Sequence, residues 1–101
     1  MSEFFTAAKV SEIRPGNGKT VEIKGIPIAI FNVNGQFHAI HDTCLHAGGP
    51  IGEGYLEDHI VTCPWHGWKY DVITGQSPVV PTAKVQKYEV KVVGDEIQVA
   101  V

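Results

Sequence analysis

No stretch of this chain approaches the ~20 apolar residues that a bilayer-spanning helix needs. Basic runs are missing too. Eight Lys and Arg stand against eleven Asp and Glu, for a net charge of −3, which argues against nucleic acid as a partner. The opening residues, MSEFFTAAKV, have neither the positive start nor the long apolar stretch of a secretory signal, so the expected location is the cytoplasm, away from any membrane. Repeats and low-complexity tracts are lacking, and cysteine is scarce: Cys44 and Cys63 are the only two. At 101 residues the chain reads as one domain, 1–101, and its 44% hydrophobic content is enough for a modest core. A domain this small buries a limited share of its surface, so a bound metal centre would add stability. It is also too short to hold both such a centre and a separate catalytic site of ordinary size, which favours a carrier over an enzyme.

Long helical periodicity is the last absence. Gly and Pro punctuate the chain every eight to twelve residues or so, and many apolar residues are β-branched, the pattern of an all-β antiparallel sandwich or barrel. Strands are expected at Phe4 to Val10, Thr20 to Lys24, Ile28 to Val33 and Gln36 to Ile40, the last two joined by a tight Asn34-Gly35 hairpin turn. Tyr55 to Glu57 and Ile60 to Thr62 form a short hairpin through Asp58, followed by a strand over Trp68 to Ile73. Ser77 to Thr82, with Pro78 and Pro81, reads as an extended loop. Val85 to Val93 and Ile97 to Val101 close the chain as a hairpin around Gly94-Asp95. The outer segments thus build a β scaffold, and residues 41 to about 75 are an insertion with short strands of its own.

Two short loops in that insertion carry the chemistry, Cys44-Leu45-His46 and Cys63-Pro64-Trp65-His66. Each offers one thiol and one imidazole, and each ends in a glycine-containing turn, Ala47-Gly48-Gly49-Pro50 and Gly67. A disulfide between Cys44 and Cys63 would leave both histidines and the glycine turns without a purpose. A closed tetrahedral zinc site is the other use of two Cys and two His, and it would make the chain a structural module that binds a partner. Zinc fingers, however, usually pair Cys with Cys and His with His, whereas each loop here mixes the two.

The run C-x-H-x16-C-x2-H resembles the binding motif of Rieske 2Fe–2S proteins. The resemblance implies one 2Fe–2S cluster, with Cys44 and Cys63 on one iron and His46 and His66 on the other, the histidines nearer the surface. Two thiolates balance the oxidised core's two positive charges where four would leave it anionic, so such a cluster accepts an electron more readily than an all-thiolate one. His38, alternating with Phe37 and Ala39, is expected to face solvent; His41 ends a strand and His59 sits in a turn, and none of the three belongs to the motif. The resemblance extends to the Rieske-like fold with its inserted cluster-binding subdomain, and to a proline-containing loop over the cluster, a part that Pro78 and Pro81 fit loosely.

Two departures from the respiratory-chain members narrow the resemblance. Those proteins carry an extra cysteine in each loop, joined as a disulfide; here the positions read Gly49 and Trp65. They also donate hydrogen bonds to the cluster from a serine and a tyrosine, where this chain has Trp68 and Tyr70. Fewer donors imply a more electron-rich cluster. The pattern is similar to the soluble ferredoxins associated with oxygenases. It implies a monomeric one-electron carrier that takes electrons from a flavin reductase and passes them to a terminal, aromatic-ring oxygenase. A permanent small subunit of a larger oxidoreductase, such as a nitrite reductase, is the alternative within the same fold.

Overall fold

The computed structural model describes residues 3–44, 48–65, 67–80 and 82–101. Among the described residues ten strands are arranged in three sheets, and every pairing within them is antiparallel. β1 (Phe4–Lys9), β10 (Glu96–Ala100) and β9 (Val90–Val93) make one sheet, in the order β1-β10-β9. β2 (Gly18–Ile23), β3 (Ile26–Val33), β4 (Gln36–His41) and β8 (Lys87–Tyr88) make the second, in that order. The third is β5 (Tyr55–Glu57), β6 (Ile60–Thr62) and β7 (Lys69–Asp71), which lie inside the expected insertion.

The second sheet is the middle layer, and β3 shows why. Successive side chains of a strand point to opposite faces. Ile28 and Ile30 pack with Ala8, Ile97 and Val99 of the first sheet. Ala29 and Phe31 pack with Cys44, Ile51, Val61, Cys63 and Tyr70 of the insertion. All four are fully buried, so β3 reads as an unbroken apolar run rather than an alternation. Each buried Ile or Phe there stabilises the fold by roughly 1.5–3 kcal/mol. Asn32 is the polar exception. Its amide donates to Ile13 O at 2.8 Å and its carbonyl accepts from Gly35 N at 2.7 Å, so it fastens the Asn34-Gly35 turn, where both residues have positive φ, 53° and 92°.

Several expected boundaries shift, each for a local reason. β3 starts at Ile26 rather than Ile28, because Lys24 and Gly25 form a two-residue turn with φ of 54° and 77°. Lysine seldom takes that conformation, so Gly25 alone looked like a break. Pro27 is tolerated because it lies past the last β4 pair, Ile28↔His41, and uses only its carbonyl, which accepts from Asp42 N at 3.1 Å. β7 stops at Asp71 instead of Ile73: the Asp71 side chain accepts from Ile73 N at 2.9 Å and its carbonyl from Gly75 N at 2.7 Å, which curls the chain away. The long final strand is two, β8 and β9. The chain leaves the β4 edge at Glu89 and joins β10 in the other sheet, turning a corner between layers. β1 ends at Lys9 and carries an irregularity between Thr6 and Ala8. The segment from Ser77 is non-strand as expected, with Ser77 Oγ accepting from Val79 N and Val80 N; Pro81 lies outside the described residues.

Candidate metal centre

The two cysteines sit on loops built alike. Cys44 N donates to Gly49 O at 2.9 Å, and Cys63 N donates to Trp68 O at 2.7 Å. In each loop, therefore, the cysteine amide closes on the carbonyl five residues on. The fourth residue after each cysteine is a glycine in the left-handed region, Gly48 with φ 73° and Gly67 with φ 75°. The first loop is closed at its base by the Thr43↔Pro50 bridge, and the second by the β6–β7 ladder, Thr62↔Lys69. The repeated C-x3-G was visible in the sequence as CLHAG and CPWHG and marks this equivalence.

Burial and polar contacts hold the thiols. Cys44 and Cys63 are each 1% exposed, lie in the same apolar cluster and are not joined by a disulfide. Tyr70, fully buried on β7, places its Oη 3.5 Å from Cys44 Sγ. Burial pushes the Cys63 thiol above its ordinary range, the backbone N–H of Trp65 pulls it back, and the Cys44 side chain and the negative Asp42 push it up again. Two sulfurs side by side in an apolar interior cannot both become thiolates without positive charge between them. A cationic iron–sulfur core supplies that charge, so this donor set fits one. No third His, Cys, Asp or Glu joins them in a metal-holding group among the described residues, and His46 and His66 lie outside those residues.

Asp42 anchors the first loop, a role the sequence reading missed. Its Oδ1 accepts from Gly52 N at 2.6 Å and from Thr20 Oγ1 at 3.0 Å, and its backbone bonds Pro27 O and Ile51 N. Burial raises its carboxyl above the usual range, and those two donors partly offset the effect. Gly52 is small by necessity: a Cβ there would meet Thr20 Oγ1 at 2.3 Å and Asp42 Oδ1 at 2.9 Å. Nothing local in the sequence marks this, because β2 and the loop meet only in the fold.

The remaining candidates fall as follows. Trp68 packs against the buried cluster around the cysteines, whereas Trp65 is 50% exposed. His38 does not face solvent as expected. It is half-buried, and its Nε2 is enclosed without a hydrogen-bond partner among the described residues, because β4 is covered on this face as well. His59 Nδ1 lies 3.2 Å from Asp71 Oδ1, at ion-pair distance but without hydrogen-bond geometry. His41 is half-buried at the end of β4.

An all-β scaffold that presents two buried, unbridged thiols on matched glycine loops is an arrangement that suits an iron–sulfur domain. A model of the Rieske [2Fe-2S] domain matches residues 3–97, and the chain belongs to that family. The family carries a 2Fe–2S cluster, which removes the zinc alternative. The ferredoxin component of biphenyl 2,3-dioxygenase from Rhodococcus jostii (strain RHA1) is 38% identical over 89 residues, 87% of this chain and 83% of that protein. The ferredoxin bound to the oxygenase of carbazole 1,9a-dioxygenase superposes with a TM-score of 0.88 at 32% identity, over 96% of this chain and 92% of that one. A chain assigned as the small subunit of an NADH-dependent nitrite reductase from Mycobacterium tuberculosis superposes at 0.92 over 100% and 96%, but at 24% identity this shows the shared fold alone.

Proposed function

We propose that this chain is the ferredoxin component of a multicomponent oxygenase system, an electron carrier rather than an enzyme. In this reading Cys44 and Cys63 hold one iron of a Rieske cluster, and His46 and His66 hold the other. When bound, the cluster accepts and returns one electron. The chain's own residues do the rest. β3, Phe31 and Tyr70 keep water from the sulfurs, Gly48 and Gly67 turn the loops, and the Asp42 carboxylate fixes the base of the first loop. The partners are a flavin reductase and a terminal oxygenase that attacks aromatic rings, and the place of action is the cytoplasm. No helix among the described residues is long and apolar enough to cross a membrane.

One observation carries the reading: two buried, unbridged cysteines on matched loops, in a chain similar over most of its length to dioxygenase ferredoxins. The test is the purified protein. It should contain two irons and two acid-labile sulfides per chain, show the visible bands and reduced-state paramagnetic signal of a Rieske centre, and pass electrons from a flavin reductase to an aromatic-ring oxygenase. Stoichiometric zinc without sulfide would reject the cluster. Purification in fixed ratio with a nitrite reductase large subunit would favour the subunit role instead.

A further inference from the structure

The two loops come from different parts of the insertion, and no covalent bond between their cysteines ties them together. They meet at Gly49 and Trp65. A Cβ built on Gly49 would lie 2.8 Å from Trp65 Cγ, 3.0 Å from Trp65 Cβ and 3.0 Å from Cys63 Sγ. The root of the indole therefore occupies the space that any side chain at position 49 would need. Gly49 has no positive φ, so its backbone does not demand glycine. Close approach does. Gly49 also supplies the carbonyl that receives the Cys44 amide, and Trp65 supplies a backbone N–H to the Cys63 sulfur. Each residue thus touches both its own loop's cysteine and the opposite loop.

We infer that Trp65 laid on Gly49 is a noncovalent clasp between the two loops, a positioning contact that fixes the separation of Cys44 and Cys63 and covers the Cys63 sulfur. The inference rests on the 2Fe–2S reading above. Trp65 is half-exposed, with the root of its indole against Gly49 at the loop junction. An aromatic ring carries out this task at low entropic cost because few torsions have to be frozen. Without the ring the loops separate more readily and water reaches Cys63. Water that donates hydrogen bonds to the sulfur favours the more negative, reduced state.

The test uses the cluster-loaded full chain and three substitutions: Trp65→Ala, Trp65→Phe and Gly49→Ala. Loss of the visible bands under a chelator should be roughly tenfold faster in Trp65→Ala, the scale of a half-buried aromatic contact, and within about twofold of wild type in Trp65→Phe. The midpoint potential should rise in Trp65→Ala and stay in place in Trp65→Phe. Gly49→Ala should speed cluster loss in the wild-type background and do so less once Trp65 is Ala, because the two residues act through one contact. Where Trp65→Ala fails to assemble, Trp65→Phe and Gly49→Ala, which both keep a ring, carry the comparison. Equal cluster lifetime and potential in Trp65→Ala and wild type would overturn the clasp. So would equal damage in Trp65→Phe and Trp65→Ala, or strict additivity with Gly49→Ala. A clasp that fails leaves the wild-type spectrum intact, whereas a wild-type chain that assembles no cluster overturns the 2Fe–2S reading itself.

Discussion

Gly48 and Gly67 occupy equivalent places, each four residues past a buried cysteine and each with φ near 74° (73° and 75°). The cysteine amide must reach back to a carbonyl five residues on, and a left-handed residue just before that carbonyl reverses the chain in the space available. Among the described residues nothing lies within 4 Å of a Cβ built on either glycine, so the constraint there is the backbone conformation and not crowding.

Substituting either glycine by Ala should therefore cost about 1–2 kcal/mol through the backbone alone. Asn, which tolerates the left-handed region, should recover part of that. Denaturant unfolding of Gly48→Ala, Gly48→Asn and the matching Gly67 pair reads this directly. An Ala variant as stable as wild type would show that the loop finds another turn.

Cys44→Ser and Cys63→Ser should each lose the visible bands and lower the unfolding midpoint, because the cysteines are part of the apolar cluster beneath the loops. The packing on the other side of the middle sheet, around Ile28, Ile30, Ile97 and Val99, includes neither residue. Far-UV circular dichroism of these variants should thus retain the β signature. Complete unfolding on loss of one thiol would mean that the two cores are not separable.

The sequence made the all-β class, most strands and the two matched cysteine loops legible because each depends on neighbours in the chain. Alternation marks strands, Asn34-Gly35 marks a turn, and the repeated C-x3-G marks the two equivalent loops. What stayed hidden depends on contacts between distant segments. The burial of β3 on both faces follows from its place in the middle layer, and for the same reason the His38 face of β4 is covered where alternation suggested solvent. The split of Val85 to Val93 at Glu89 reflects two sheet edges competing for one strand. The Thr20–Asp42–Gly52 contact joins three segments with no local signature.

His38 should make stability pH-dependent. Burial is the main cause that lowers its pKa below the ordinary value, Lys87 adds to this and Asp71 opposes it. A histidine with a depressed folded-state pKa binds its proton more readily when unfolded. Its contribution is therefore complete above the unfolded value, near 6.5, and is lost as pH falls from there toward the depressed folded value. The thermal midpoint of His38→Gln should fall less than that of wild type between pH 8 and pH 5.5. Parallel curves would assign the acid limb to other groups.

Tyr70 bears most directly on the reduction potential. Its hydroxyl, fully buried on β7, lies 3.5 Å from Cys44 Sγ. With Cys44 a metal-bound thiolate, the tyrosine O–H is the donor, because the sulfur has no proton to give. Reduction adds negative charge that the sulfurs share, so this bond strengthens in the reduced state and raises the potential. Removing it in Tyr70→Phe should cost the reduced form ~1 kcal/mol, a downward shift of about 40 mV for a one-electron couple. The ring stays in place, so stability and spectrum should change little. Trp68 has no hydroxyl to give where the respiratory-chain members donate from a serine. Wild type should therefore lie near the bottom of the Rieske range, about −150 mV rather than about +300 mV. Voltammetry of the two proteins measures both quantities. A wild-type potential well above zero would mean that donors outside Tyr70 and the Trp65 amide dominate, and an unshifted Tyr70→Phe would mean that the 3.5 Å contact does not act on the sulfur.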